Sequence, residues 1–488
     1  MATTPQARAR SGESYACRDC GTTSLRWAGR CPGCGEWNTL AAVPAHVRVR
    51  RGARATGVLA PAGPQPLAEV SADAARPMPT GVAELDRVLG GGVVGGSVTL
   101  VFGPPGIGKS TLLFQVLSSV AGRGLDVLLA SAEESLAQVR GRAARLGAVP
   151  PQLLALEGPA VDAIEAALEQ ERPTLVVVDS LQSIADPELP QPAGSLAQVR
   201  ACVERLTRAA KSSGVAVLLV GHVTKDGDLA GPRAVEHLVD TVLSFDGDRH
   251  HALRVLSAVK HRFGPTGEVG IFEMRDDGLR DVEDPGPLML GDRMPGVPGS
   301  MVVPVLQGRR PLLVEVQALL GPAGAGATRP HALGLDSARA NLLAAVLACR
   351  TRVPVPATAQ VFVAAAGGIA VTEPAADLAV ALALASVVTG RPVPADLVAF
   401  GELGLAGEVR TVPGAARRLA EAQRVGFTRA LVPASSVDAL AGETPRGIAL
   451  IGVRTLADAL ACTSGGAVGA QTWPDTMPGC PTPAAASP

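Results

Sequence analysis

One octapeptide constrains this chain more than any other feature. Gly103-Pro104-Pro105-Gly106-Ile107-Gly108-Lys109-Ser110 fits the pattern G-x-x-x-x-G-K-[ST]. It follows a strand-like run, VTLVF, and precedes TLLFQVLSSV, whose pattern predicts a helix. In that context the glycines let backbone N–H groups curl around a β-phosphate, and the helix N-terminus adds the positive end of its dipole. Lys109 is expected to reach the β- and γ-phosphates, and the Ser110 hydroxyl to ligate Mg²⁺. With Thr111, the octapeptide is read as an ATP site.

The surrounding pattern agrees. Further apolar runs (DVLLA from Asp126, TLVVVD from Thr174 and VAVLLV from Val215) alternate with helical stretches between Pro77 and Val282. Short continuous apolar runs joined through helices predict a parallel sheet covered on both faces. Asp179 closes TLVVVD, where an acid can hold the Mg²⁺ shell. The stretch SAEES, expected beside the phosphate strand, offers Glu133 or Glu134 to orient the attacking water. Two later runs, LRVLSAV and EVGIFEM, flank KHRFGPTG and predict a hairpin at the sheet edge.

A second metal is expected near the N-terminus. Cys17 and Cys20, then Cys31 and Cys34, form two C-x₂-C pairs, the spacing of a structural four-thiolate Zn²⁺ site. Residues 1–60 carry nine Arg against three acids. That excess favours phosphate contacts even after a zinc tetrathiolate adds two negative charges. Elsewhere charge is balanced, with a net −1 over 488 residues, so no global basic field attracts nucleic acid or membrane. No secretory signal is visible. The two longest uncharged stretches, Gly90–Gly108 and Val353–Thr372, are broken by Gly and Pro. A cytoplasmic protein without a membrane partner is expected, its cysteines thiols or metal ligands. Cys202 and Cys349 read as core.

Composition divides the chain into a zinc ribbon (1–40), a linker (41–75), an α/β ATPase domain (76–283), a Pro/Gly-rich linker (284–299), an α+β domain (300–462) and a tail (463–488). Only four of its 44 basic residues are lysines: Lys109, Lys211, Lys225 and Lys260.

Taken together, CRDCGTTSLRWAGRCPGCGEWNTL, PTGVAELDRVLGGGVVGGSVTLVFGPPGIGKSTLL, GHVTKDGDLAGPRAVEHLVDTVL, KHRFG and FGELGLAGEVRTVPGAARR resemble the RadA (Sms) family of bacterial DNA-repair proteins, from about Ser14 to Leu460. The resemblance implies a RecA-like P-loop ATPase core between a zinc ribbon and a Lon-protease-like domain. It further implies a hexameric ring that moves on single-stranded DNA and drives branch migration with the RecA recombinase. Glu133 then matches the catalytic glutamate and His222 the γ-phosphate sensor. Lys225 falls in a loop that faces DNA. KHRFG matches the family's K-N-R-F-G box, His261 standing for the usual Asn. Lys260 or Arg262 of that box is expected to reach a neighbour's γ-phosphate, and Arg262 is a candidate DNA contact.

Lon-type peptidases use a Ser–Lys dyad, which aligns here with Ala375 and Ala416. No Lys follows Lys260, so no lysine can activate a serine in this domain. A scaffolding role is expected instead, with Arg417, Arg418 and Arg424 as candidate DNA contacts. The competing reading is a RecA-like signalling or scaffold ATPase ring without motor activity.

Overall fold

The computed structural model describes residues 75–463 except 148, 159, 223–234, 248–252, 324–330, 357–358 and 441; ahead of them it describes 14–17, 23–24, 27–30, 37 and 40–43. Two compact units separate at Ser71/Ala72. In the first, strand Ser14–Cys17 pairs antiparallel with Thr23–Ser24 and with Leu40–Val43, so the ribbon's last strand runs past residue 40. The Arg30 guanidinium lies 6.0 Å from the Trp37 ring centre.

The second unit is built on two sheets. The first has nine strands: β1 (Val98–Gly103), β2 (Val127–Ser131), β3 (Leu153–Glu157), β4 (Leu175–Asp179), β5 (Ala216–His222), β6 (Thr241–Asp246), β7 (Leu253–His261), β8 (Val269–Arg275) and β9 (Gly278–Asp281), in the order β9-β8-β7-β6-β1-β5-β4-β2-β3. The strands from β6 to β3 are parallel, whereas β7, β8 and β9 form an antiparallel meander. The KHRFG hairpin is therefore inside that meander, with β9 as the edge. Helices α2 (Lys109–Gly122) and α3 (Leu136–Leu146) cover one face, and α4 (Val161–Gln170) and α5 (Leu196–Ser213) the other. Buried on both sides, the central strands are continuous apolar runs, as VLLAS and LVVVD require. Ser135 and Gln138 make a capping box that starts α3 just beyond β2.

One expectation is corrected. The strand before SAEES, β2, is not beside the phosphate strand β1; β5 and β4 lie between them. The chain crosses to the far side after α2 and fills the gap later, the crossover freedom of doubly wound sheets.

The second sheet has seven strands: β10 (Ser300–Gln307), β11 (Arg310–Ala323), β12 (His331–Leu333), β13 (Ala359–Ala365), β14 (Leu397–Ala399), β15 (Arg429–Pro433) and β16 (Ala449–Val453), in the order β12-β13-β11-β10-β14-β15-β16. Helix Asp377–Thr389, apolar all round its circumference, is buried against β10 and β11. The Pro/Gly-rich stretch 284–299 is packed: Met289, on the short helix Gly286–Leu290, is 5% exposed within the second domain's core. That core also takes in Leu253, Val269 and Ile271 from the first sheet and Val282 just beyond its last strand. Cys202 is core, and burial raises its thiol to about 11. Cys349, expected in the core, is exposed on helix Ser337–Arg350, whose other face carries the buried residues. Among the described residues no helix is long and apolar enough to cross a membrane.

Candidate active site

The parallel strands set the site by their register. Gly103 at the end of β1 pairs with His222 at the end of β5, and Asp179 at the end of β4 pairs with Ser131 of β2. The C-terminal rim of the sheet thus gathers the phosphate loop, His222, Asp179 and the stretch carrying Glu133. This is the crevice in which open α/β sheets bind ligands.

Two glycines of the loop have no substitute. Gly108 has φ +115°, and a Cβ there would lie 2.6 Å from Met274 Cε. A Cβ on Gly103 would lie 2.2 Å from the Phe245 carbonyl oxygen. Lys109 is 3% exposed, and its ammonium donates to the carbonyls of Gly103 (2.8 Å) and Pro104 (3.0 Å). Burial lowers its pKa, opposed by the charges of Asp179 and Glu133. Behind the loop, buried Arg254 donates to the Ile107 carbonyl (3.3 Å), a contact across 147 residues that no local pattern reveals.

Burial raises the Asp179 carboxyl, and a hydrogen bond from Ser110 only partly offsets this. Asp179 Oδ1 is buried and has no hydrogen-bond partner among the described residues. A hydroxyl and a buried, half-satisfied carboxylate beside Lys109 form the hard oxygen donor set that Mg²⁺ prefers. Ser110 and Asp179 therefore fit that ion.

Glu133 and Glu134 have different surroundings. Glu133 accepts hydrogen bonds from Ser180 and, at 3.4 Å, from Ser183, and lies 3.2 Å from His222 Nε2. Burial alone would raise its pKa, but the Ser180 bond and the His222 charge outweigh it and hold the carboxyl below its ordinary value. Glu134 instead pairs with Arg142 at 3.1 Å. His222 is steadied through its carbonyl by Gln182 (3.3 Å), while its Nδ1 has no partner among the described residues. Ser183 and Gln182 were not singled out in the sequence; they belong to the turn after β4.

The KHRFG box lies at the other end of the sheet. His261 pairs with Thr241, which pairs with Thr99 near the start of β1, whereas the phosphate loop follows the end of β1. Lys260 donates to the carbonyls of Glu236 (2.6 Å) and Val239 (2.9 Å). Arg262, about half exposed, pairs with buried Asp240 at 2.9 Å. His261 Nε2 lies 3.2 Å from the Leu89 carbonyl and its Nδ1 lies 3.0 Å from Thr241 Oγ1, so its imidazole bridges two segments. Neither Lys260 nor Arg262 approaches its own phosphate loop.

In the second domain, Ala375 is 1% exposed, and the flanking segments are locked together. Arg418 is 1% exposed and grips Glu373 with two bonds of 2.7 Å each, donating also to the Pro304 (2.6 Å) and Pro413 (3.1 Å) carbonyls. Arg418 therefore cannot contact DNA as expected, because its guanidinium is enclosed and spent inside the fold. Arg424 is engaged by Asp284 and Glu421. Arg417 remains on the surface. Cys20, Cys31, Cys34 and Lys225 lie outside the described residues; Cys17 ends the first ribbon strand. Four cysteines at this spacing form a donor set suited to Zn²⁺.

Comparison with known families matches each part. Residues 64–228 match the model of an AAA domain, 15–42 that of a rubredoxin metal binding domain, and 342–436 that of the subunit ChlI of Mg-chelatase. The DNA repair protein RadA of Bacillus subtilis is 43% identical over 465 residues, covering 94% of this chain and 100% of the relative. Its counterpart in Mycobacterium tuberculosis is 47% identical over 432 residues, covering 88% and 89%. That of Pseudomonas aeruginosa is 44% identical over 452 residues, covering 93% and 99%. At such identity across nearly the whole length, the chain belongs to the RadA family of DNA repair proteins.

Proposed function

We propose that the chain is a DNA-dependent ATPase motor of homologous recombination, cytoplasmic and assembled as a hexameric ring. It translocates on single-stranded DNA and drives branch migration of recombination intermediates with the RecA recombinase. The observation that supports this most directly is the placement of Glu133 with His222 on the rim that carries the phosphate loop. A carboxylate there is suited to orient water toward a γ-phosphate, and an imidazole touching it is suited to report whether that phosphate is present. Lys109 binds the phosphates and Glu133 takes the attacking water's proton. Ser110 and Asp179 would hold Mg²⁺, which would supply charge neutralisation for the phosphates.

The box favours assembly. Lys260 and Arg262 stand at the rim opposite their own phosphate loop, so either serves a nucleotide best from a neighbouring subunit. A finger supplied in trans is worth ~10³–10⁵ in rate, which makes turnover depend on the ring. DNA is held by backbone electrostatics, through the Arg-rich N-terminal arm and the loop containing Lys225. With only eight Phe, three Trp and one Tyr in the chain, backbone charge rather than base stacking is expected to dominate the contact.

The test is ATP turnover with and without single-stranded DNA across a salt titration. DNA should stimulate turnover, and the stimulation should fade steeply with salt and vary little with base sequence. Turnover indifferent to DNA would favour a signalling or scaffold ring instead.

A further inference from the structure

The second domain lacks a peptidase dyad, yet it touches the ATPase domain at one chemically dense place. The turn between β10 and β11, Gln307–Arg310, lies against the loop that follows the KHRFG box. The Arg309 N–H donates to the Gly267 carbonyl at 2.6 Å, and the Arg309 guanidinium faces Glu268 at 3.5 Å. Gly308 has φ +58°, and a Cβ there would lie 2.1 Å from the Gly267 oxygen. The two backbones are in direct contact.

Arg310 continues the contact inward. Its guanidinium is 10% exposed and pairs with Glu84, itself 1% exposed on the short helix α1 (Ala83–Val88). It donates as well to the carbonyls of Val269 (3.3 Å), Val282 (3.1 Å) and Glu283 (2.9 Å). Glu84 also accepts the Ile271 N–H at 2.8 Å, which fixes β8. Immediately after α1 comes Leu89, whose carbonyl meets His261 of the box. The turn therefore reaches the box by two routes, through Gly267 on its C-terminal side and through Glu84, α1 and Leu89 on its N-terminal side.

We propose that Gly308, Arg309 and Arg310 are positioning residues for ATP hydrolysis: the second domain's turn sets where the Lys260–Arg262 box stands. This rests on reading the box as the finger that serves a neighbour's nucleotide. A nearly buried Arg–Glu pair whose guanidinium is also held by three backbone carbonyls is a stiff connector, because its position is fixed from several sides at once. Displacing a catalytic group by about 1 Å costs up to roughly 10²-fold in rate, so such a connector has leverage.

The experiment uses the full chain. Gly308→Ala forces a methyl group against the Gly267 carbonyl and should push the box loop aside. Its kcat should fall by about tenfold to a hundredfold while KM for ATP and the affinity for ADP stay within about twofold. Combined with Arg262→Ala, it should slow turnover no further than Arg262→Ala does, since a displaced finger and an absent one are equivalent. Arg310→Lys keeps a charge for Glu84 but loses the fork to Val282 and Glu283; it should show the same epistasis and stands in if Gly308→Ala does not fold. A normal kcat in Gly308→Ala, or a double variant slowed by the product of the two single effects, overturns the proposal while leaving the finger reading intact. Normal turnover in both Arg262→Ala and Lys260→Ala removes the finger reading and this proposal with it.

Discussion

Two of the places where acids and cations converge end in opposite states. At the phosphate loop the polar groups are left part-satisfied: Asp179 Oδ1 and His222 Nδ1 have no partner among the described residues, and Lys109 rests on loop carbonyls. Near Ala375 in the second domain, both Glu373 oxygens are held by the Arg418 fork, one taking the Leu306 N–H as well, and the guanidinium also meets two carbonyls. Buried polar groups normally find partners, so unmet ones mark where a ligand belongs. A saturated pair marks a place where the same chemistry has become a fastener. The difference teaches that charge density alone does not locate a catalytic site; at this rim it coincides with spare hydrogen-bonding capacity on Asp179 and His222.

The largest effect that tests this contrast is at the phosphate loop. Lys109→Ala should lose nucleotide binding and turnover. Glu133→Gln should bind ADP and ATP normally yet turn over roughly 10²–10⁴-fold more slowly. Near-normal hydrolysis in Glu133→Gln would shift the base to Glu134 or another group and weaken the contrast at its centre.

The saturated pair should behave as structure. Arg418→Met leaves Glu373, 22% exposed, facing an apolar replacement and should cost about 3 kcal/mol of stability by denaturant unfolding. Adding Glu373→Met should recover much of that loss, as coupled neighbours do. ADP binding should be unaffected. Unchanged stability in Arg418→Met would mean the pair is not the fastener proposed here.

A subtler test uses pH. If Glu133 is the base it must act as a carboxylate, and turnover should be lost as pH falls through its pKa, which Ser180 and His222 hold, against burial, below the ordinary glutamate value. Ser180→Ala removes one of those bonds and should move the acid limb of kcat upward in pH. An unmoved or downward limb would detach Ser180 from the base.

What was legible in the sequence follows from how local each signal is. The phosphate loop, the strands β1, β2, β4 and β5 and the spacing of the cysteines are written within short windows. Strands β3 and β6 are not legible in the sequence: LLALE is built of good helix formers, and TVLSFD carries a polar break. Strand order was not legible, since it depends on crossovers rather than composition. Arg418 read as a surface charge on an amphipathic helix; its partner Glu373 is 45 residues away, and nothing local reveals it. Likewise, Arg310 meets Glu84 across 226 residues.

The smallest expected effect asks whether the saturated site can be reopened. Ala375→Ser with Ala416→Lys restores the residue types of a Ser–Lys dyad at the aligned positions. A serine at 375 would be enclosed, because that position is 1% exposed, and a substrate carbonyl has no approach to it. A lysine at 416 has the opposite fault. Such a base must be neutral, and neutrality requires desolvation, but this position is only partly buried and leaves the ammonium hydrated and protonated. The nucleophile is thus too buried and the base too wet. Hydrolysis of an unfolded protein or a fluorogenic peptide should stay at background in the double variant, with ATP turnover within about twofold of the parent. Peptide cleavage above background would break the contrast from the other side, since a site fastened by Glu373 and Arg418 would then still be two side chains from catalysis.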